Sequence, residues 1–237
     1  MYKNAIVMKT TNVTISQLNY NRYENKKYDT DIRKVIPGYE QLHKEITKIV
    51  SSLPKKNLKI ADLGAGTGLT AEVILKVLPT AKLTAIDFSE TMILGAKKRL
   101  ANYHVDFKRG DYSLLNYGKN FDMIFSVIGI HHQNNAGKQK VFGKAYSSLK
   151  HGGIFLLGDL VTYKDKFKAA LNEAKHYAFM VEHLKDEISL REWSYHHKFL
   201  NDLAPLEDQI KWLEEAGFSK VEVKYNFLNT ALILAKK

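Results

Sequence analysis

Residues 59 to 68 read KIADLGAGTG, an apolar run that ends abruptly in three glycines spaced two apart, Gly64, Gly66 and Gly68. Each glycine weakens a strand or helix by up to ~1 kcal/mol relative to alanine, so a cluster of three requires a cause. Close approach of a ligand to the backbone supplies one. The turn falls between a strand and a helix predicted over 67–78. That is the carboxyl end of a sheet strand, where doubly wound α/β folds bind ligands.

The rest of the chain supports that placement. Strand-like runs at 59–64, 82–87, 104–110, 121–129 and 153–160 alternate with helix-periodic stretches, including one capped by Ser89 that reaches about 102 and one over 138–149. Five alternations predict a mostly parallel sheet with helices on both faces. A chain of 237 residues fits one such domain. Residues 1–57 read as a tyrosine-rich N-terminal lid with a helix near Pro37-Gly38 carrying Leu42, Ile46 and Val50, and 58–163 as the ligand-binding core. Residues 164–200 read as an aromatic and histidine-rich helical cap, and 201–237 as a helix closed by Gly217 followed by a hairpin, KVEVKYN and TALILAKK.

Asp87 ends the second strand 19 residues after Gly68, where a carboxylate can hold both hydroxyls of a ribose. An adenosine-containing cofactor follows. The spacing is GxGxG rather than GxGxxG, and Asp62 stands two residues before the first glycine, where it would repel a diphosphate and attract a cation. The ammonium and sulfonium of S-adenosyl-L-methionine meet that requirement. The plainer alternatives are a turn-stabilising acid for Asp62 and a helix cap for Asp87.

Taken in order, KIADLGAGTG, AIDFSETMI (85–93), RGDYSLL (109–115), FDMIFSVIGIHH (121–132) and LKHGGIFLLGD (149–159) resemble the successive motifs of class I S-adenosylmethionine-dependent methyltransferases. The resemblance spans roughly residues 30 to 237. It implies a Rossmann-like seven-stranded mixed sheet of order 3-2-1-4-5-7-6, with strand seven antiparallel, under a helical lid. It further implies that Asp62, Gly64, Ala65 and Gly66 contact the methionine part, that Asp87 binds the ribose, and that Phe88 and Met92 pack on the adenine. Asp111, with Tyr112 beside it, would meet the exocyclic amine, and Val127 to His131 would border the sulfonium. PGYEQL near Pro37 and the tail QIKWLEEAGFSKVEVKYNF are similar to the carboxy-S-adenosylmethionine synthases of tRNA wobble-uridine modification. Those enzymes need an arginine for the extra carboxylate, and only Arg191 stands between the fifth strand and the tail.

Methyl transfer from a sulfonium needs no nucleophile from the protein, and positioning alone can supply ~7–11 kcal/mol. Tyr20, Tyr23, Tyr28 and Trp193 are candidates for an aromatic wall around the positive sulfur, or else core packing. Tyr28, beside Asp29 and near Arg33, is the first choice. A base is needed only if the acceptor must lose a proton; His131 and His132, after the fourth strand, either fill that role or shape the pocket. Trp193, His196 and His197 are expected on the acceptor side. Two histidine pairs raise the question of zinc, iron or nickel, with one ring from each pair meeting and Tyr28 or Asp159 completing the set, but adjacent side chains point apart on a strand or helix, and no metal is expected.

The chain has no cysteine, which excludes disulfides and thiolate chemistry. Its net charge of +11 invites RNA as a partner, yet only five of the 36 basic residues are arginines and the lysines are dispersed. A small-molecule acceptor is therefore expected, with RNA as the alternative. No apolar run approaches a membrane span or a signal-peptide core, so the expected address is the cytoplasm.

Overall fold

The computed structural model describes residue 20, residues 24–54 and residues 57–237. Seven strands form one sheet: β1 (Lys59–Leu63), β2 (Lys82–Asp87), β3 (Val105–Arg109), β4 (Phe121–Val127), β5 (Leu149–Leu160), β6 (Lys220–Phe227) and β7 (Thr230–Lys236). Their order is β3-β2-β1-β4-β5-β7-β6, with β7 antiparallel to both neighbours, as the resemblance implied. β1 pairs in parallel with both β2 and β4, so the chain reverses its direction of travel across the sheet at β1. The crevice outside that reversal is where such sheets bind ligands.

Helices α2 (Tyr39–Ser51), α3 (Leu69–Val77) and α4 (Glu90–Arg99) precede α5 (Asn135–Ser148) and α8 (Leu206–Glu215). Leu42, Ile46 and Val50 of α2 are fully buried at the predicted i, i+4, i+8 spacing and join Ile74, Leu75 and Phe125 in one core. On the other face Phe142 and Ala145 of α5 and Leu213 of α8 pack with Phe121, Phe155 and Ile233. A third cluster sits above the carboxyl ends of the strands. It brings Ile32 and Val35 of α1 (Asn25–Val35) against Met180 of α6 (Lys166–His183) and Trp193 of α7 (Glu187–Phe199). α1 stops where Pro37 forces Ile36 into extended backbone. Among the described residues, no helix is long and apolar enough to cross a membrane.

β5 begins at Leu149, four residues before the expected start, and two further local expectations change for identifiable reasons. β4 ends at Val127, two residues early, because Ile128 turns to φ +54° before a 3-10 turn at Ile130–His132. α5 begins at Asn135, earlier than expected, because the Asn134 side chain accepts the Gly137 N–H as its cap. The glycine turn also has a second cause. Gly64, Gly66 and Gly68 all take left-handed backbone, with φ of +84°, +53° and +83°.

Candidate functional site

The carboxyl ends of β1, β2 and β4 open into three adjoining spaces that share Tyr28 and Ile128 in their walls. The largest encloses about 540 Å³ including its mouth and is lined by Gly64, Gly66, Asp87, Phe88, Met92, Asp111, Tyr112 and His132. A second, lined by Asp62, Ala65, Thr67 and Val127, lies over the end of β1. The third lies beneath α1, α6 and α7, with His131, Leu160, Met180, Trp193, His196 and His197 around it. All ten residues expected at the cofactor thus border the first two spaces, and the three expected on the acceptor side border the third. Tyr23 lies outside the described residues.

The acids are held by the fold. Asp87 Oδ1 accepts the Ser89 N–H and Oδ2 the Gly66 N–H, both at 2.8 Å, so the end of β2 is tied to the glycine turn. Burial pushes its pKa up to about 6, against those two hydrogen bonds. Asp62 is more deeply enclosed. Burial, and then the charge of Asp87, raise it well above the usual carboxylate range. Among the described residues no lysine or arginine lines any of the three spaces. Two buried carboxylates without a cation fit a ligand that brings positive charge and hydroxyl donors. A Cβ added to Gly66 would meet nothing within 4 Å, so the surface of the turn is open to the cavity there.

The histidine pairs divide, as adjacent side chains must. His131 Nδ1 lies 2.5 Å from Asp159 Oδ1, at the end of β5. A neutral ring that donates from Nδ1 keeps its lone pair on Nε2. His132 turns the other way, donating from Nδ1 to the Leu200 carbonyl at 2.9 Å and accepting the Tyr20 hydroxyl on Nε2 at 2.7 Å. Burial, then His131 and His196, hold its pKa well below the ordinary histidine value, and it stays neutral. His196 meets the same hydroxyl at 3.3 Å, whereas His197 faces away and donates to Glu173 at 3.0 Å. One histidine from each pair does come together, at Tyr20 rather than at Tyr28 or Asp159. Among the described residues no three side chains gather to hold a metal.

Tyr28 is held edge-on to Tyr20 and 6.0 Å from the Trp193 ring. Its helix is anchored by its neighbour Asp29, which accepts Thr67 Oγ1 at 2.5 Å and pairs with Arg99; Arg99 in turn donates to the Thr67 carbonyl at 3.0 Å. Arg191 is 80% exposed, bonded to Glu187 one turn away, and lines none of the three spaces. Sequence reasoning missed His176 and Asn201, took in Ile128 only as part of the stretch from Val127 to His131, and considered Asp159 only as a metal ligand. A β-branched residue at positive φ carries no sequence signal, although strain of ~1–3 kcal/mol at such a position is typical of sites.

A family model described as a methyltransferase domain matches residues 60–153. The chain is 29% identical over 227 residues to the carboxy-S-adenosyl-L-methionine synthase of Campylobacter fetus, covering 89% of this chain and 90% of that protein. Among solved structures, an O-methyltransferase family protein from Burkholderia thailandensis superposes with a TM-score of 0.61 at 18% identity, over 83% of this chain and 56% of that one. Human N-acetylserotonin methyltransferase in complex with SAM gives 0.60 at 18%, over 82% and 51%. The chain therefore spans little more than half the length of those two proteins, and the likeness to them is one of fold.

Proposed function

We propose that this chain, a member of the class I S-adenosylmethionine-dependent methyltransferase family, transfers a methyl group to a protic group on a small molecule seated beside His131. The observation that carries this reading is the His131–Asp159 pair, set in a cavity that adjoins the two buried carboxylates. When bound, S-adenosylmethionine supplies an electrophilic methyl carbon: the acceptor's lone pair forms the new bond as the carbon–sulfur bond breaks and its electrons pass to sulfur.

The residues divide the remaining work. Asp62 faces the cationic methionine end with Gly64, Ala65 and Gly66 around it, and Asp87 takes the ribose hydroxyls. Phe88, Met92 and Tyr112 enclose the adenine and Asp111 meets its amine, while Val127 borders the sulfur. Tyr28 and Ile128 stand where the three spaces meet, so they align donor and acceptor. His131 Nε2 receives the proton that the acceptor loses, and Asp159 fixes the tautomer that makes this feasible. His132 positions rather than reacts, since both ring nitrogens are engaged. Trp193, His196 and His197 roof the acceptor, and α1, α6 and α7 exclude water.

Titration with S-adenosylhomocysteine, followed by a search for its formation from S-adenosylmethionine and candidate acceptors, tests the reading. His131→Gln should lose turnover and keep cofactor affinity. No binding at millimolar cofactor would sink it.

The name of the Campylobacter fetus relative supports a second reading, a carboxy-S-adenosylmethionine synthase linked to tRNA modification, which the charge of +11 also favours. The absence of lysine and arginine from the described cavity walls weighs against an extra carboxylate there. Mass spectrometry of the copurifying cofactor separates the two. A cytoplasmic address belongs to both readings.

A further inference from the structure

We infer that the acceptor is an uncharged, largely apolar compound with hydrogen-bond donors for His131 Nε2 and Asn201 Oδ1. This rests on the methyl-transfer reading. The space beneath α1, α6 and α7 takes apolar walls from Ile32, Val35, Leu160, Met180 and Trp193. No lysine, arginine, aspartate or glutamate is among its described lining residues. An anion would enter without a lysine or arginine to meet it, and a cation would leave water for apolar walls.

Three of the polar side chains in those walls can be sorted by working through their hydrogen bonds. His176 is fully engaged: Nε2 donates to the Val35 carbonyl at 2.6 Å, and Nδ1 accepts from Asn229. His197 donates from Nε2 to Glu173, and its Nδ1 lies 3.3 Å from Asn201 Nδ2, the contact of an amide N–H donated to a ring lone pair. That fixes the Asn201 amide and turns its oxygen elsewhere. Asn201 Oδ1 is buried and has no hydrogen-bond partner, in the wall of the same space. A buried acceptor left unpaired costs ~1–3 kcal/mol, which a bound donor would recover.

Asn201 and His131 belong to one rigid unit. The next residue, Asp202, donates its N–H to the His131 carbonyl at 2.9 Å, and the preceding Leu200 carbonyl accepts His132 Nδ1. Lys138, fully buried, clasps the carbonyls of Gln133 and Asp202 together. The two lone pairs are thus held at a fixed separation, and the site selects for a molecule whose donors match it. Phenols and N–H heterocycles fit; carboxylates and phosphates do not.

Three fluorescent probes test this on the whole protein, with and without S-adenosylhomocysteine: 2,7-dihydroxynaphthalene, 2-naphthol and 2-naphthoate. The diol should bind at least tenfold more tightly than the naphthoate. Asn201→Leu should bring the diol to the affinity of 2-naphthol while leaving 2-naphthol within twofold. Naphthoate binding as tightly as the diol overturns the inference without any variant, as does equal weakening of diol and naphthol by Asn201→Leu. Diol binding that persists while S-adenosylhomocysteine fails to bind would instead sink methyl transfer and leave the chemistry of the cavity standing.

Discussion

Asp159 grips His131 twice: Oδ1 lies 2.5 Å from the ring Nδ1, and Oδ2 accepts the backbone N–H of the same residue at 2.9 Å. The carboxylate fixes the ring and the turn that carries it. Asp159→Asn, which offers an amide N–H where the ring needs an acceptor, should lower kcat by about 10²–10⁴-fold with little change in cofactor affinity. His131→Gln should lower kcat by a similar factor. An unchanged kcat would rule His131 out as the base.

Asp62 gives a prediction with a definite sign. Its folded pKa is raised by burial and by Asp87, so the stability it contributes is complete below its unfolded value of ~3.9 and is lost as pH rises through the folded value. Asp62→Asn has no such dependence. In the free protein the variant should therefore melt above the wild type at pH 8, with the gap closing toward pH 4. Its affinity for S-adenosylmethionine should fall about tenfold or more, the loss of one charge-assisted contact. Equal melting temperatures at both pH values would remove the argument.

The three glycines separate stability from binding. A Cβ on Gly68 would lie 3.1 Å from Leu100 Cδ1, whereas one on Gly66 would enter open cavity. Gly68→Ala combines left-handed strain of ~1–2 kcal/mol with that contact and should lower Tm by about 2–6 °C. Gly66→Ala carries the strain without the contact, and its main effect should be weaker cofactor binding. Calorimetry and titration on both variants read the difference.

The same turn marks the limit of what the sequence could convey. Periodicity found every strand and the buried face of α2, because Leu42, Ile46 and Val50 must share one side of a helix. The residues proposed for the cofactor sit at strand ends, where chain position and spatial position coincide, so their gathering around two adjoining spaces was legible. The acceptor side was only half legible. Trp193 and the histidine pairs stood out by composition, but which ring faces which cavity depends on how α6 and α7 cross over α1. Asn201 could not be singled out, since an asparagine after a helix is ordinarily a cap or turn residue. Its significance arises only when Glu173 decides the tautomer of His197.

Asp29 joins the helix that carries Tyr28 to the glycine turn and to α4, through Thr67 and Arg99. Both partners are partly shielded, with side-chain exposures of 25% for Arg99 and 18% for Asp29. Asp29→Ala should speed hydrogen exchange of the amides in Asn25–Val35 and raise the cofactor dissociation rate several-fold, with a global cost of about 1–2 kcal/mol. Unchanged exchange in that helix would mean the apolar contacts of Ile32 and Val35 hold it unaided.

Arg191 tests the competing identity of the cofactor. Its guanidinium is 80% exposed and its partner Glu187 is 81% exposed, an i,i+4 pair on the outer face of α7. Such pairs contribute ~0.3–0.5 kcal/mol at most. Arg191→Ala should accordingly leave the copurifying cofactor, its mass and its affinity unchanged. A carboxylated cofactor in the wild type that disappears in the variant would require α7 to rotate and carry Arg191 inward. Trp193 and His196 would then have to leave the wall they now share with Tyr28 and Tyr20. Finding only S-adenosylmethionine or its demethylated product in both proteins leaves His131 facing an ordinary methyl donor.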